Sequence, residues 1–338
     1  MSQKNNFDLM RLILALVVCV VHVSTLSGFS QFAHYGDFFS SYVAVNAFFV
    51  ISGYLIFMSY ERSTSLRAYF SKRVRRIYPA YFVVVFLCAL GCIAVTASEI
   101  DHDFLKSWVQ YLLANLSFLN FLHPTLPGVF ATNLDHTVNS ALWSLKIEAM
   151  FYLVVPLLVL ALHRFHRLGV LAILYGCSLA YTALLTRIAE HTGSALVTEL
   201  ARQLPGQLCY FVSGAFFFYY QPFFERHTVA FLIPAVLILA VNNVFALPLF
   251  EPFALATVVL FFALFRYLGN VTKHGDFSYS IYILHCPILQ VLLSYSLFAQ
   301  HPYWLLAATL CTTALASAAM WHLVEKRFLL RGSHYLRA

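Results

Sequence analysis

Residues 9–27 read LMRLILALVVCVVHVSTLS, nineteen positions in which one arginine and one histidine interrupt an apolar, lightly hydroxylated run. As a helix rising about 1.5 Å per residue, this run would be roughly 28 Å long, close to the hydrocarbon thickness of a bilayer. Arg11 opens it, His22 lies within it, and no clear small-residue cleavage site follows. It therefore reads as a retained first span rather than a removed leader. Runs of the same kind recur to the end of the chain, at roughly 38–58, 78–97, 141–162, 168–186, 203–220, 229–243, 253–268, 278–297 and 303–323. The segment 109–122 is apolar but broken by Asn115 and Asn120, and reads as an interfacial or re-entrant piece of a long outer connection.

Composition gives the same answer. Of 338 residues, 61% are hydrophobic and only 10% charged, against about 25% charged in soluble domains. A chain of this length cannot cover a water-soluble core with so few charges, so the bilayer must be the solvent for most of its surface. The fold class expected is all-α, a polytopic transmembrane helical bundle of about ten spans, with residues 1–338 forming one membrane domain. The net charge of +7 does not indicate nucleic acid, because the cations sit in short loops between apolar runs. With the N-terminus inside, 17 of the 21 Lys and Arg residues fall on the inner side, leaving Lys106, Lys146, Arg187 and Arg202 outside. Ten spans return the C-terminus to the same side, giving an N-in/C-in topology. The seven cysteines lie inside apolar stretches with no C-x-x-C pair, so they read as small core residues, and no metal site is expected.

Ionisable groups at membrane depth cost about 2.5–3.5 kcal/mol each on insertion scales, so each needs a reason. Arg11 and His22 are eleven residues apart, close to three helical turns, and so share a face about 16 Å apart along the axis. A histidine there can exchange a proton near neutral pH, as acyl transfer to a hydroxyl requires, or can simply bond a neighbouring helix. At the mouth of the third span, SKRVRRIYP (71–79) packs Lys72, Arg73, Arg75 and Arg76 into five residues. Such a cluster orients a span, and its density also suits a polyanionic ligand, either coenzyme A or lipid headgroups. In LWSLKIEAMFY (142–152), Ser144 and Glu148 share a face next to Trp143, and Glu148 needs a partner among His22, Arg202 and Lys146. In SYSIYILHCP (278–287), His285 precedes a proline that frees a backbone carbonyl. Ser52-Gly53 within FFVISGYL (48–55) indicates close helix packing. No Walker loop, G-x-G-x-x-G, H-E-x-x-H or G-x-S-x-G pattern is present.

Together these segments resemble the acyltransferase-3 family of bacterial membrane O-acyltransferases. FDLMR (7–11) with Ala15 and His22 is similar to the family's opening signature. FFVISGYLI (48–56) resembles the second-span signature, with Asn46 where aspartate is common. RVRRIYP (73–79) matches its R-x-x-R loop, LWSL (142–145) with Glu148, Phe151 and Tyr152 its tryptophan-serine-glutamate segment, and YSIYILH (279–285) with Pro287 its late-span signature. VEKRF (324–328) resembles the usual ending. Lys146 and Ala149 depart from the pattern, standing where a small residue and a second carboxylate are frequent. The chain resembles stand-alone members that lack an extracytoplasmic hydrolase-like domain, such as those acetylating O-antigen or exopolysaccharide.

The resemblance implies a bacterial inner-membrane, multi-pass enzyme with no bound cofactor. Its donor would be acetyl-CoA or another short acyl-CoA from the cytoplasm, and its acceptor a hydroxyl on a glycan or lipid-linked saccharide. It further implies that Arg73 and Arg76, with Arg75, hold the donor phosphates while Arg11 steers the donor. His22 would act as general base or nucleophile, with Glu148 orienting it or a proton path, and Trp143, Ser144 and His285 would lie on the substrate side. The rival class is a proton-coupled transporter, since intramembrane His, Arg and Glu serve that chemistry as well.

Overall fold

The computed structural model describes residues 5–35, 39–242, 245–265, 267–269, 273, 275–295, 298, 300–330 and 333, and every regular element among them is helical. Of the cations assigned to the inner side, Lys4, Arg266, Arg331 and Arg337 lie outside the described residues. So do residue 38 of the second expected span, residue 243 of the seventh, residue 266 of the eighth and residues 296 and 297 of the ninth.

The helices are α1 (Phe7–Ser27), α2 (Ser41–Glu61), α3 (Leu66–Val95), α4 (His102–Leu116), α5 (Leu142–Arg164), α6 (Arg167–Thr192) and α7 (Ala195–Ala201). They continue as α8 (Leu204–Tyr219), α9 (Gln221–Arg226), α10 (Thr228–Asn242), α11 (Glu251–Leu264), α12 (Ser278–Ser294) and α13 (Pro302–Met320). A π-helical turn, Trp321–Glu325, carries α13 on to Phe328. Each expected span falls largely on a helix. Six helices are long and apolar enough to cross a membrane by length and composition: α1, α2, α3, α5, α6 and α13 with its extension. The helices α10, α11 and α12 are shorter and apolar.

Two elements differ from the sequence reading. The third span was expected from residue 78 with the basic cluster at its mouth, but α3 begins at Leu66, so the cluster lies inside the helix. Ser65 supplies the start, its Oγ accepting the Ala68 N–H at 3.1 Å. Apolar periodicity does not register a first stretch that is mostly polar and basic. The 109–122 segment is helical only to Leu116. There Asn115, buried, donates to the Tyr111 and His123 carbonyls at 2.8 and 3.0 Å, and Phe118 takes a left-handed φ of 60°. The asparagine that looked out of place in an apolar run closes the turn that ends it.

The chain divides into two compact units. The first comprises Met1–Met10, Val45–Phe70 and Ile147–Gly269. A close crossing in it is between α2 and α8. A Cβ at Gly53 would strike the Phe211 backbone, and a Cβ at Gly214 would strike the Val50 carbonyl. The two glycines let the backbones touch, as the Ser52-Gly53 pair indicated. Phe151 stacks on Phe211 beside that crossing, with ring centroids 3.9 Å apart. At the chain start Asn6 donates to the Phe262 and Phe265 carbonyls and accepts the Leu268 N–H, closing the end of α11.

The second unit comprises Arg11–Ala44, Ser71–Lys146 and Asn270–Ala338. Its central feature is α12. Pro287 lacks an N–H, so the carbonyl of Ile283, four residues back, has no helical donor. Asn139 fills that place with its side-chain amide at 2.9 Å, and its carbonyl oxygen accepts the Ala141 N–H at 3.2 Å. One buried asparagine thus joins the proline break in α12 to the segment leading into α5. One turn along, Gln290 donates to the Asp135 and Thr137 carbonyls at 2.7 and 2.8 Å, fastening the long connection to the same helix.

Candidate functional site

The second unit contains a buried chain of opposite charges. Arg76 on α3 places one terminal nitrogen 2.5 Å from Asp276 Oδ2 and the other 2.7 Å from Glu325 Oε2. Arg11 on α1 reaches the same Asp276 oxygen at 3.1 Å. Ser280 donates to the second oxygen of Glu325, and Ser278 donates to Asp276 through both its amide and its hydroxyl. Burial alone would raise the Asp276 carboxyl. The guanidinium groups of Arg11 and Arg76 and the bonds from Ser278 outweigh it and hold the group below its ordinary range. Two arginines and two carboxylates sum to no net charge, so this cluster is self-satisfied. The neighbouring cations differ in setting: Arg75 is exposed, with its guanidinium 3.4 Å from the Phe328 carbonyl, and Arg73 is half-buried.

Further along α1 lies His22. Its Nδ1 is 2.7 Å from Nε2 of His285 on α12, and His285 Nδ1 is 3.1 Å from the Ile281 carbonyl oxygen. His285 is completely buried, whereas His22 keeps partial exposure. On the same face of α12, Tyr282 OH meets Ser144 Oγ at 2.6 Å, and Cys286 Sγ lies 3.1 Å from Ser140 Oγ. Trp143 is half-buried. Arg11 and His22 thus lie on one helix, the first tied to the arginine–carboxylate cluster and the second to a histidine partner.

The structure brings together Arg11 with Arg76, His22 with His285, and Ser144 with the His285 helix. Glu148 belongs to the first unit. There Glu148 Oε1 accepts from Tyr152 OH at 2.7 Å, one turn on, and from Ser52 Oγ at 3.3 Å. The Lys146 ammonium lies 4.3 Å from the centroid of the Phe121 ring. Asp276, Glu325 and Asn139 were not picked out as site residues by reading the sequence. A signal did exist for Asp276: it is a carboxylate on the border of an apolar run, three residues after Lys273. Such a residue needs an arginine.

A family model described as an acyltransferase domain, that of the acyltransferase-3 family, matches residues 4–322. The chain is 27% identical to an "O-acetyl transferase" of Shigella phage Sf6, over 98% of both chains. It is 26% identical to "Nodulation protein 10" of Rhizobium leguminosarum bv. viciae, over 96% of this chain and 93% of that one. It is 24% identical to the "Peptidoglycan O-acetyltransferase OatA" of Listeria monocytogenes, over 84% of this chain but only 50% of that longer protein. No solved structure matches.

Proposed function

The chain belongs to the acyltransferase-3 family, and from that premise we propose that it transfers an acetyl or other short acyl group from cytoplasmic acyl-CoA to a hydroxyl of a cell-surface or exported glycan. It is a multi-pass membrane protein and an acyltransferase. The donor, its side of entry, the acceptor and a bacterial inner-membrane location with N-in/C-in topology are the proposed part. The acetyl cargo is supported by the O-acetyltransferase names of its relatives, and a glycan acceptor by the peptidoglycan in one of them.

The observation that carries the proposal is the layout of α1. Arg11 joins the arginine–carboxylate cluster next to the exposed Arg75, and about 16 Å further along α1 His22 meets His285 of α12. In this reading the Arg73–Arg76 turn receives the phosphates of coenzyme A, with Arg75 and Arg73 contributing charge and Arg76 anchoring the turn through its carboxylates. Arg11 steers the donor, and the acyl thioester extends along α1 towards His22. His22 takes the proton of the acceptor hydroxyl, or attacks the acyl carbon itself. Trp143 and Ser144 flank the acceptor. The setting of Glu148 supports a role in fixing the α2–α5 contact through Ser52.

The test is donor consumption in proteoliposomes. Acetyl-CoA should release free thiol when extracted cell-envelope saccharide is supplied, and mass spectrometry should find acetyl groups on that saccharide. Solute movement across the vesicle wall with no thiol released would replace this reading with a transporter.

A further inference from the structure

Counting protons around His285 determines how His22 is held. A carbonyl oxygen only accepts, so the 3.1 Å contact with Ile281 places the proton of a neutral His285 on Nδ1. Its Nε2 is then bare. That is the atom 2.7 Å from His22 Nδ1, so His22 Nδ1 carries the N–H and donates. A neutral His22 is left with an unprotonated Nε2. The ring geometry agrees. The centroids are 5.0 Å apart and the planes inclined by only 26°, so rings joined by a 2.7 Å contact meet end to end, with the lone pair of one aimed at the N–H of the other.

Burial separates the two rings' roles. His285 has no exposed surface, while His22 keeps some. The acceptor that fixes the His285 tautomer is a backbone carbonyl of its own helix, which does not titrate. The same helix is held against the α5 approach by Asn139 at Ile283.

We propose that His285 is a positioning residue for acyl transfer, its Nε2 holding His22 in the tautomer and orientation that present a bare Nε2 to the acceptor hydroxyl. This rests on His22 acting as base or nucleophile. As a base, His22 Nε2 takes the hydroxyl proton while the hydroxyl oxygen bonds to the acyl carbon. Collapse of the tetrahedral intermediate breaks the C–S bond, and the sulfur leaves as thiol with the proton returned from His22. While His22 is cationic, its Nδ1–H stays on His285 Nε2, which spreads the charge. An aspartate does this for the histidine of serine hydrolases. A neutral imidazole does it without adding a buried charge that would need its own partner.

The experiment compares His285→Leu, His285→Gln and His22→Ala of the full chain in proteoliposomes, with acetyl-CoA as donor and cell-envelope saccharide as acceptor. A glutamine carbonyl can accept the His22 N–H, and leucine cannot. Leucine should lower kcat about a hundredfold or more with KM for acetyl-CoA within about twofold, and glutamine should stay within about tenfold of wild type. Nitrogen-15 NMR of histidine-labelled protein gives a readout that does not depend on turnover. Wild-type His22 should be protonated on Nδ1 and bare on Nε2, and the leucine variant should shift towards protonation on Nε2. A leucine variant within about threefold of wild type, glutamine falling as far as leucine, or wild-type neutral His22 protonated on Nε2 would each overturn the proposal. Inactive His22→Ala beside active His285→Leu removes the positioning role alone, whereas active His22→Ala removes the catalytic reading beneath it.

Discussion

Arg76 uses both terminal nitrogens on carboxylates, and this changes what substitutions in the basic cluster should do. Arg73→Gln should weaken acetyl-CoA binding, read by titration in detergent. Arg76→Gln should instead destabilise the protein, because Asp276 and Glu325 would lose a buried partner. Asp276→Asn makes the same point from the other side. It is 1% exposed and serves two guanidinium groups, so its loss should cost about 3–5 kcal/mol in an unfolding titration. The pH dependence follows in sign. Asp276 titrates lower in the folded chain than in the unfolded one, so its contribution is complete above an unfolded value near 3.9 and fades as pH falls through the lower folded value. Wild type should therefore lose more stability than Asp276→Asn on acidification below about pH 4. At His22, alanine and asparagine should both abolish acyl transfer while leaving folding nearly intact. An asparagine variant acylating at the wild-type rate would make His22 a packing residue.

Helices α2 and α8 approach as closely as they do because each presents a glycine to the other's backbone. Gly53→Ala would press a methyl group into the Phe211 backbone, which cannot move aside as a side-chain tip can. The expected loss is about 3 kcal/mol, the upper end of overpacking costs, visible as a lowered melting point in detergent. Helix α12 allows a sharper test, because its proline break and its asparagine clamp explain each other. Asn139→Ala should cost about 1–3 kcal/mol by orphaning the Ile283 carbonyl. In a Pro287→Ala background the new N–H can bond that carbonyl, so the same Asn139→Ala change should cost measurably less. Equal costs in both backgrounds would show that the clamp and the break are independent.

For the whole molecule, the asymmetry of Lys and Arg predicts that residues 59–77 face the cytoplasm. A cysteine at the exposed Arg67 should resist an impermeant thiol reagent in intact cells and react after permeabilisation. The helical class, the position of each apolar element and the family follow from the sequence, because a bilayer imposes length and apolarity on every span locally and the signature residues stand in order along the chain. The sequence also carries Ser52-Gly53 as a packing signal and Pro287 as a freed carbonyl, since both effects arise within a few residues. The start of α3 at Leu66 was not legible, because a basic helical turn lacks the apolar signal that marks a span. The partners of the charged and polar side chains were not legible either. Arg11 and Asp276 are 265 positions apart, and His22 and His285 are 263. Glu148, which had three candidate partners in the sequence, accepts from Ser52 and Tyr152. A buried polar group must be satisfied, and that requirement is legible in any sequence. Which group satisfies it depends on which helices pack side by side, and only the tertiary structure decides that.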